Sequence, residues 1–228
     1  MSKLMMLGAG SSASAPAIYT KTTGASASSA AAQTTYTFNS VTLDADVPYR
    51  IVAVYGGNNG TASRTISSVT VDGQTATQLV FNEAINGATV RQSALFIAPG
   101  TANSSGSVVV TWSAAGQSMC AIHCGSVTGT LLSTTPTNTY TDSGTTLSQS
   151  INVTAGGFFV AAVFGINNVT CTWLAGAADP EQFDTTSGLN RCYTKAAANY
   201  TSAQTGLTVS ATLVTTNNAD VMVIAALR

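Results

Sequence analysis

The stretch SVTLDADVPYRIVAVYG, Ser40–Gly56, decides the fold, because it returns with one gap as SINVTAGGFFVAAVFG, Ser150–Gly165. Each copy alternates apolar and polar residues, breaks at a turn, and runs into an apolar stretch of strand length. A double-Asn turn follows in both, Asn58-Asn59 and Asn167-Asn168. A period of two places successive side chains on opposite faces of a strand, so each copy reads as two strands around a turn. The likeness continues downstream. VTVDG at Val69–Gly73 answers TWLAG at Thr172–Gly176, and the Gly87 and Arg91 region answers Gly188 and Arg191. The last strands also correspond, MCAIHCGSV from Met119 matching VMVIAALR from Val221. The simplest account is a duplicated set of strands.

Working outward, the period of two holds from Tyr36 to the end, giving about thirteen strands with turn signals every 8–12 residues, as in an all-β sandwich. Asn59-Gly60, Asp72-Gly73, Asn86-Gly87, Pro99-Gly100 and Gly156-Gly157 supply the turn chemistry. No segment keeps a helical period. The second half is short for an independent core. The expectation is therefore one antiparallel two-sheet sandwich, jelly-roll or lectin-like, over residues 36–228. Its pseudo-halves, 36–128 and 147–228, are joined by Thr128–Thr146, and each supplies strands to both sheets. Val41, Leu43, Ile51, Val52, Val54, Ile97, Val110, Trp112, Ile122, Val160, Val163, Val209, Val223 and Ile224 are the expected core.

Residues 1–35 read differently, as an extended N-terminal arm. Leu4, Met5, Met6 and Leu7 form a short apolar head, followed by a Ser/Ala/Gly tract reaching Gln33. Adaptable apolar side chains on a flexible tether make a docking peptide for a partner's groove. The head, with Lys3 before it and Ala13-Ser14-Ala15 after it, imitates a secretion signal, but its apolar core is too short. The arm is therefore expected to be retained.

Eight Lys and Arg, nine Asp and Glu, and one His leave a net charge of −1. So few ionisable groups starve general acid–base catalysis and phosphate binding alike, and no apolar run approaches membrane-helix length. Expected absent are enzymatic activity, nucleic-acid binding, membrane insertion, a metal and any cofactor. Cys120, Cys124, Cys171 and Cys192 are too few and too oddly spaced for a disulfide framework. Cys120 and Cys124 would lie ~13 Å apart on one strand face, and His123 on the other, so the expectation is buried free thiols and no local zinc site. Asp179, Glu181 and Asp184 share the irregular segment Ala178–Gly188. With loop carbonyls they could hold Ca²⁺, although a solvated acidic loop is the simpler reading. Trp112, Trp173, Tyr55, Tyr140, Tyr193 and Tyr200 could stack sugars, but they fit better as core and cross-strand residues.

The ending ADVMVIAALR, the block GGFFVAAVFG, and ALFIAPGTANSSGSVVVTW followed by a strand closing on SVTG resemble phage virion proteins of the jelly-roll or concanavalin-like type. The resemblance covers residues ~36–228 and rests on pattern. It implies a non-enzymatic structural protein of the virion, assembled in the host cytoplasm, serving capsid decoration, a fibre or host attachment. Partners would be other capsid or tail proteins, further copies of the chain, three-fold by preference, and a host-surface glycan. The alternative is a carbohydrate-binding adhesin module.

Overall fold

A computed structural model describes residues 18–131, 137–142, 145–165, 171–174, 181–187, 190–196, 200–213 and 220–228. The all-β antiparallel expectation holds: the described elements are strands, and every strand pairing is antiparallel. In the first half the order is β1 (Ile18–Ser29), β2 (Thr35–Thr42), β3 (Tyr49–Asn59), β4 (Ile66–Val71), β5 (Gln74–Thr75), β6 (Thr77–Asn86), β7 (Thr89–Pro99), β8 (Ser105–Trp112) and β9 (Met119–Thr128). The second half continues with β10 (Thr137–Asp142), β11 (Thr146–Val153), β12 (Phe158–Gly165), β13 (Cys171–Leu174), β14 (Glu181–Ser187), β15 (Asn190–Ala196), β16 (Gln204–Leu213) and β17 (Asp220–Leu227).

The duplication is written into the sheet orders. The first half pairs as β1-β9-β3-β7-β6 and β2-β8-β4-β5, and the second as β10-β17-β12-β15-β14 and β11-β16-β13. Replacing β1–β4 by β10–β13 and β6–β9 by β14–β17 turns one set into the other, with β5 the one strand lacking a counterpart among the described residues. In the first half the nested pairs β1·β9, β2·β8 and β3·β7 alternate between the two sheets, a jelly-roll wrap. Register fixes the equivalence residue by residue: Tyr55 pairs with Ala121 and Phe164 with Val221. The last strands therefore match two residues away from the alignment that sequence suggests. A shift of two preserves which side chains face which side, so the pattern alone could not detect it.

Strand distribution departs from the two-sheet expectation. Each half builds its own pair of sheets, and the two five-stranded sheets then pack against each other. Three cores result. Between the sheets of the first half lie Tyr36, Val52, Val54, Val69, Val108, Val110, Trp112, Cys120, Ile122 and Cys124. Their counterpart in the second half contains Leu147, Phe159, Ala161, Val163, Val209, Met222 and Ile224. The middle core joins Ile51, Ala53, Tyr55, Leu95, Ala121 and Val127 to Phe158, Val160, Ala162, Phe164, Val221, Val223 and Leu227. The dense apolar runs of β3, β9, β12 and β17 follow from this: these strands are covered on both faces, so nothing selects for polar alternation. The expected core residues are buried, apart from Ile97, which is half-buried at the rim of the middle core.

Three strands lie where sequence offered none. β1 occupies part of the expected arm and β10 part of the expected linker, and both are edge strands recruited by the free sides of β9 and β17. The third, β14, replaces the expected irregular acidic segment and pairs along β15 from Glu181 opposite Ala196 to Ser187 opposite Asn190. It is the second half's counterpart of β6. β1 is interrupted between Lys21 and Ser26, an irregularity that shortens the flat run of an edge strand. Tyr19 fastens its start: the ring lies directly on Gly125, where any Cβ would overlap it, and sits 6.1 Å from the Phe158 ring.

Candidate functional site

Register gives the molecule two ends. Tyr49 lies opposite both Pro99 and Val127, Ile18 opposite Thr128, and Phe158 opposite Leu227. The Tyr19–Phe158 contact brings the starts of β3 and β12 to the same end, and Tyr55 meets Phe164 further along, with ring centroids 6.3 Å apart. Strands β3 and β12 therefore run the same way. Ile18, the end of β9, the start of β10 and the end of β17 all gather at one end, the base. Loops 58–65, 86–89 and 113–118, with segment 30–34, form the opposite end, the tip.

The base of the first half is organised by Arg50, which is 1% exposed. Its Nη1 donates to Thr101 Oγ1 at 2.9 Å, and Nη2 donates to the carbonyls of Asp44 (2.9 Å), Asn103 (3.0 Å) and Thr101 (3.2 Å). One guanidinium thus holds the β2–β3 and β7–β8 loops together through its rigid fork of donors. Thr101 Oγ1 and Asn103 Nδ2 in turn donate to Asp72 Oδ2 at 2.5 and 2.8 Å. Those two hydrogen bonds hold the Asp72 carboxyl below its ordinary pKa, since they stabilise the ionised form. Asp72 and Gly73 both have positive φ, 51° and 77°, as the tight β4–β5 hairpin requires. Ser126 Oγ donates to Asp44 Oδ2 and adds β9 to the cluster.

The tip of the first half rests on buried amides. Gln92 and Gln117 are both 0% exposed, and Gln117 Nε2 donates to Gln92 Oε1 at 2.9 Å. Gln92 Nε2 donates to Glu83 Oε2 at 2.9 Å and to the Arg64 carbonyl. The Tyr36 hydroxyl is shared between the carbonyls of Gln117 (2.6 Å) and Ala31 (2.7 Å). Asn58 is also buried; with its amide oxygen accepting from Arg64 Nη1 at 2.8 Å and its nitrogen donating to Gly60 O at 3.3 Å, it closes the 58–64 loop on itself. Gly56 makes the arrangement possible, because a Cβ there would overlap Trp112 and Gln117. Burial pushes the Tyr36 phenol up to about 12. The network ties three tip segments to the sandwich, and none of it was legible as a motif: Gln92, Gln117 and Tyr36 sit far apart in sequence.

Of the residues singled out from sequence, Leu4, Met5, Met6, Leu7 and Asp179 lie outside the described residues. Glu181 and Asp184 belong to β14, opposite Ala196 and Tyr193, and so do not share an irregular loop. Among the described residues no group of three or more His, Cys, Asp or Glu is placed to hold a metal ion. Cys120, Cys124 and Cys171 are buried free thiols, as expected. Desolvation raises the Cys120 thiol and pushes Cys124 up to about 12, which keeps both protonated and inert. His123 faces the middle core, away from both cysteines, with Nε2 3.5 Å from the Tyr19 hydroxyl. Trp112 and Tyr55 are buried and Trp173 and Tyr200 half-buried. These four pack as core and rim residues and form no exposed sugar-stacking face among the described residues, while the side chains of Tyr140 and Tyr193 lie outside them. No described helix is long and apolar enough to cross a membrane, which says nothing of crossing by strands.

Compared with known protein families, curated proteins and solved structures, the chain matches none.

Proposed function

We propose that the protein is a non-enzymatic structural component of a phage virion, docked through its N-terminal segment on another virion protein with the double sandwich projecting outward. The observation that carries this reading is the polarity of the molecule. Residues 1–17 join the fold at the base through Ile18 and β1, on the same end as the C-terminal strand end, while the scaffolded loops of the first half lie at the other end. A docking peptide leaving the base would orient every copy alike. The rest of the chain suits a building block. Its described buried cations and amides tie loops to strands, and its two outer sheets present hydroxyl rows, with Thr35 Oγ1 3.4 Å from Thr111 Oγ1 and Thr146 Oγ1 3.3 Å from Thr212 Oγ1 at equivalent positions. A surface with so little charge has little repulsion to keep copies apart, which supports a homo-oligomer, three-fold by preference.

The test is deletion of residues 2–12. The truncated chain should stay folded and soluble yet disappear from assembled particles, because burying Leu4, Met5, Met6 and Leu7 in a partner could contribute about 1.5–3 kcal/mol each before ordering costs. Particles carrying the truncated chain at normal occupancy would show that attachment lies on the sandwich.

A further inference from the structure

We infer that the tip of the first half is a recognition surface for a neutral polysaccharide; the inference rests on the outward-projecting orientation proposed above. Four observations lead there. The tip is the end farthest from the point where residues 1–17 join the fold, so in a base-docked molecule it faces outward. Its exposed residues carry methyls, hydroxyls and amides: Asn59, Thr61, Ala62 and Ser63 on one loop, Asn86 and Ala88 on the hairpin, and Ser113, Ala114 and Ala115 on the third loop. The charges nearest to it are engaged within the network, Arg64 with the Asn58 amide and Glu83 with Gln92. Most important, the loops are held from beneath by the fully buried Gln92–Gln117 pair and by Tyr36, whose hydrogen bonds go to loop and segment backbones at Arg64, Gln117 and Ala31. Burying two primary amides to fix loop backbones costs desolvation that an ordinary solvated turn does not need. Preorganised loops lose less entropy on binding.

The chemistry of the surface selects the partner. A sugar ring is amphipathic, with hydroxyls around its rim and C–H groups on its faces. Asn, Ser and Thr offer both donors and acceptors to the rim, and the Ala methyls allow the C–H faces to approach closely. A phosphate polymer or an acidic glycan would require accessible cations, and the two described at the tip are engaged, half-buried Arg64 with the Asn58 amide and buried Arg91 with the carbonyls of Asn58 and Val90. Small side chains on a firm support also favour a repeating polymer, since each contact is weak and several must act together.

The experiment uses the full chain on an array of neutral glucans, mannans and galactans beside uronic-acid and sialylated glycans, followed by titration of any polysaccharide retained. Ala62→Glu combined with Ala115→Glu places two carboxylates on exposed tip positions without touching the buried network. Ala102→Glu, in an exposed base loop, is the control, and circular dichroism confirms that both variants fold. The expected result is binding to at least one neutral polysaccharide, weakened tenfold or more by the tip pair and unchanged by Ala102→Glu. Retention of acidic glycans only, of no neutral glycan, or equal binding by the tip variant would overturn the inference. Incorporation of the tip variant into particles is scored separately. A parent chain that enters particles normally yet binds no neutral glycan rejects the tip alone, whereas glycan binding by a parent chain that never enters particles rejects the virion reading alone.

Discussion

Replacing Arg50 by Met keeps the apolar stem and removes the guanidinium, so it probes whether one buried cation holds the base loops. Four hydrogen bonds are lost, to Thr101 Oγ1 and to the carbonyls of Asp44, Thr101 and Asn103. Hydrogen bonds to a charged group contribute about 1.5–3 kcal/mol each, and simple addition would give about 6–12 kcal/mol. That sum overshoots, because Asn103 is exposed and Asp44 and Thr101 are half-buried, so water reaches the released carbonyls. The expected loss is nearer about 3–5 kcal/mol, a large single-site effect of the kind that follows disruption of a buried hydrogen-bond network, which for a chain of this size lowers Tm by about 6–20 °C. Arg50→Lys should fall between, since an ammonium is a point charge that cannot span three carbonyls and a hydroxyl. Urea unfolding followed by the fluorescence of buried Trp112 reads the change directly. An Arg50→Met variant within about 1 kcal/mol of the parent at unchanged m-value would refute the reasoning, and the loops would then be held by their own turns and by Asp72.

Three further expectations follow from the geometry. Because the phenol of Tyr36 is raised from 10.0 to about 12 by burial, its contribution to stability is fully present below pH 10 and is lost as pH climbs toward 12. The absorbance titration should show a late-ionising tyrosine, titrating together with unfolding, that is missing from the Tyr36→Phe variant, and a Tyr36→Phe variant whose alkaline stability profile matches the parent would contradict this. Tyr55 and Phe164 occupy equivalent positions and meet across the middle core, while the Arg91 guanidinium carbon lies 5.5 Å from the Phe164 ring centroid. A double-mutant cycle with Tyr55→Leu and Phe164→Leu should give a coupling of about 0.5–1.5 kcal/mol. Calorimetry should show one unfolding transition for the two halves; independent transitions with zero coupling would mean that the middle core does not join them.

The amino-acid sequence by itself determined the strand class, the duplication and most of the interior. Alternation, turn residues and apolar runs are local signals, and a repeated stretch such as Ser40–Gly56 and Ser150–Gly165 displays them twice. Residues such as Val52, Val110, Trp112, Val160 and Ile224 were legible as core for that reason. What only the tertiary structure decided was where the strands went. β1 and β10 are Ser/Thr-rich segments with no apolar alternation, and they become strands because β9 and β17 offer unpaired backbone beside them. Whether two halves share two sheets or build four cannot be read from period two, since a strand covered on both faces looks the same in either arrangement. The tip was hidden for a related reason: Tyr36, Gln92 and Gln117 carry no motif, and only the pairing of β2 with β8 and of β7 and β9 with β3 brings them together. Local chemistry sets the pattern of a strand, whereas its neighbours are chosen by the burial and backbone pairing of the whole chain.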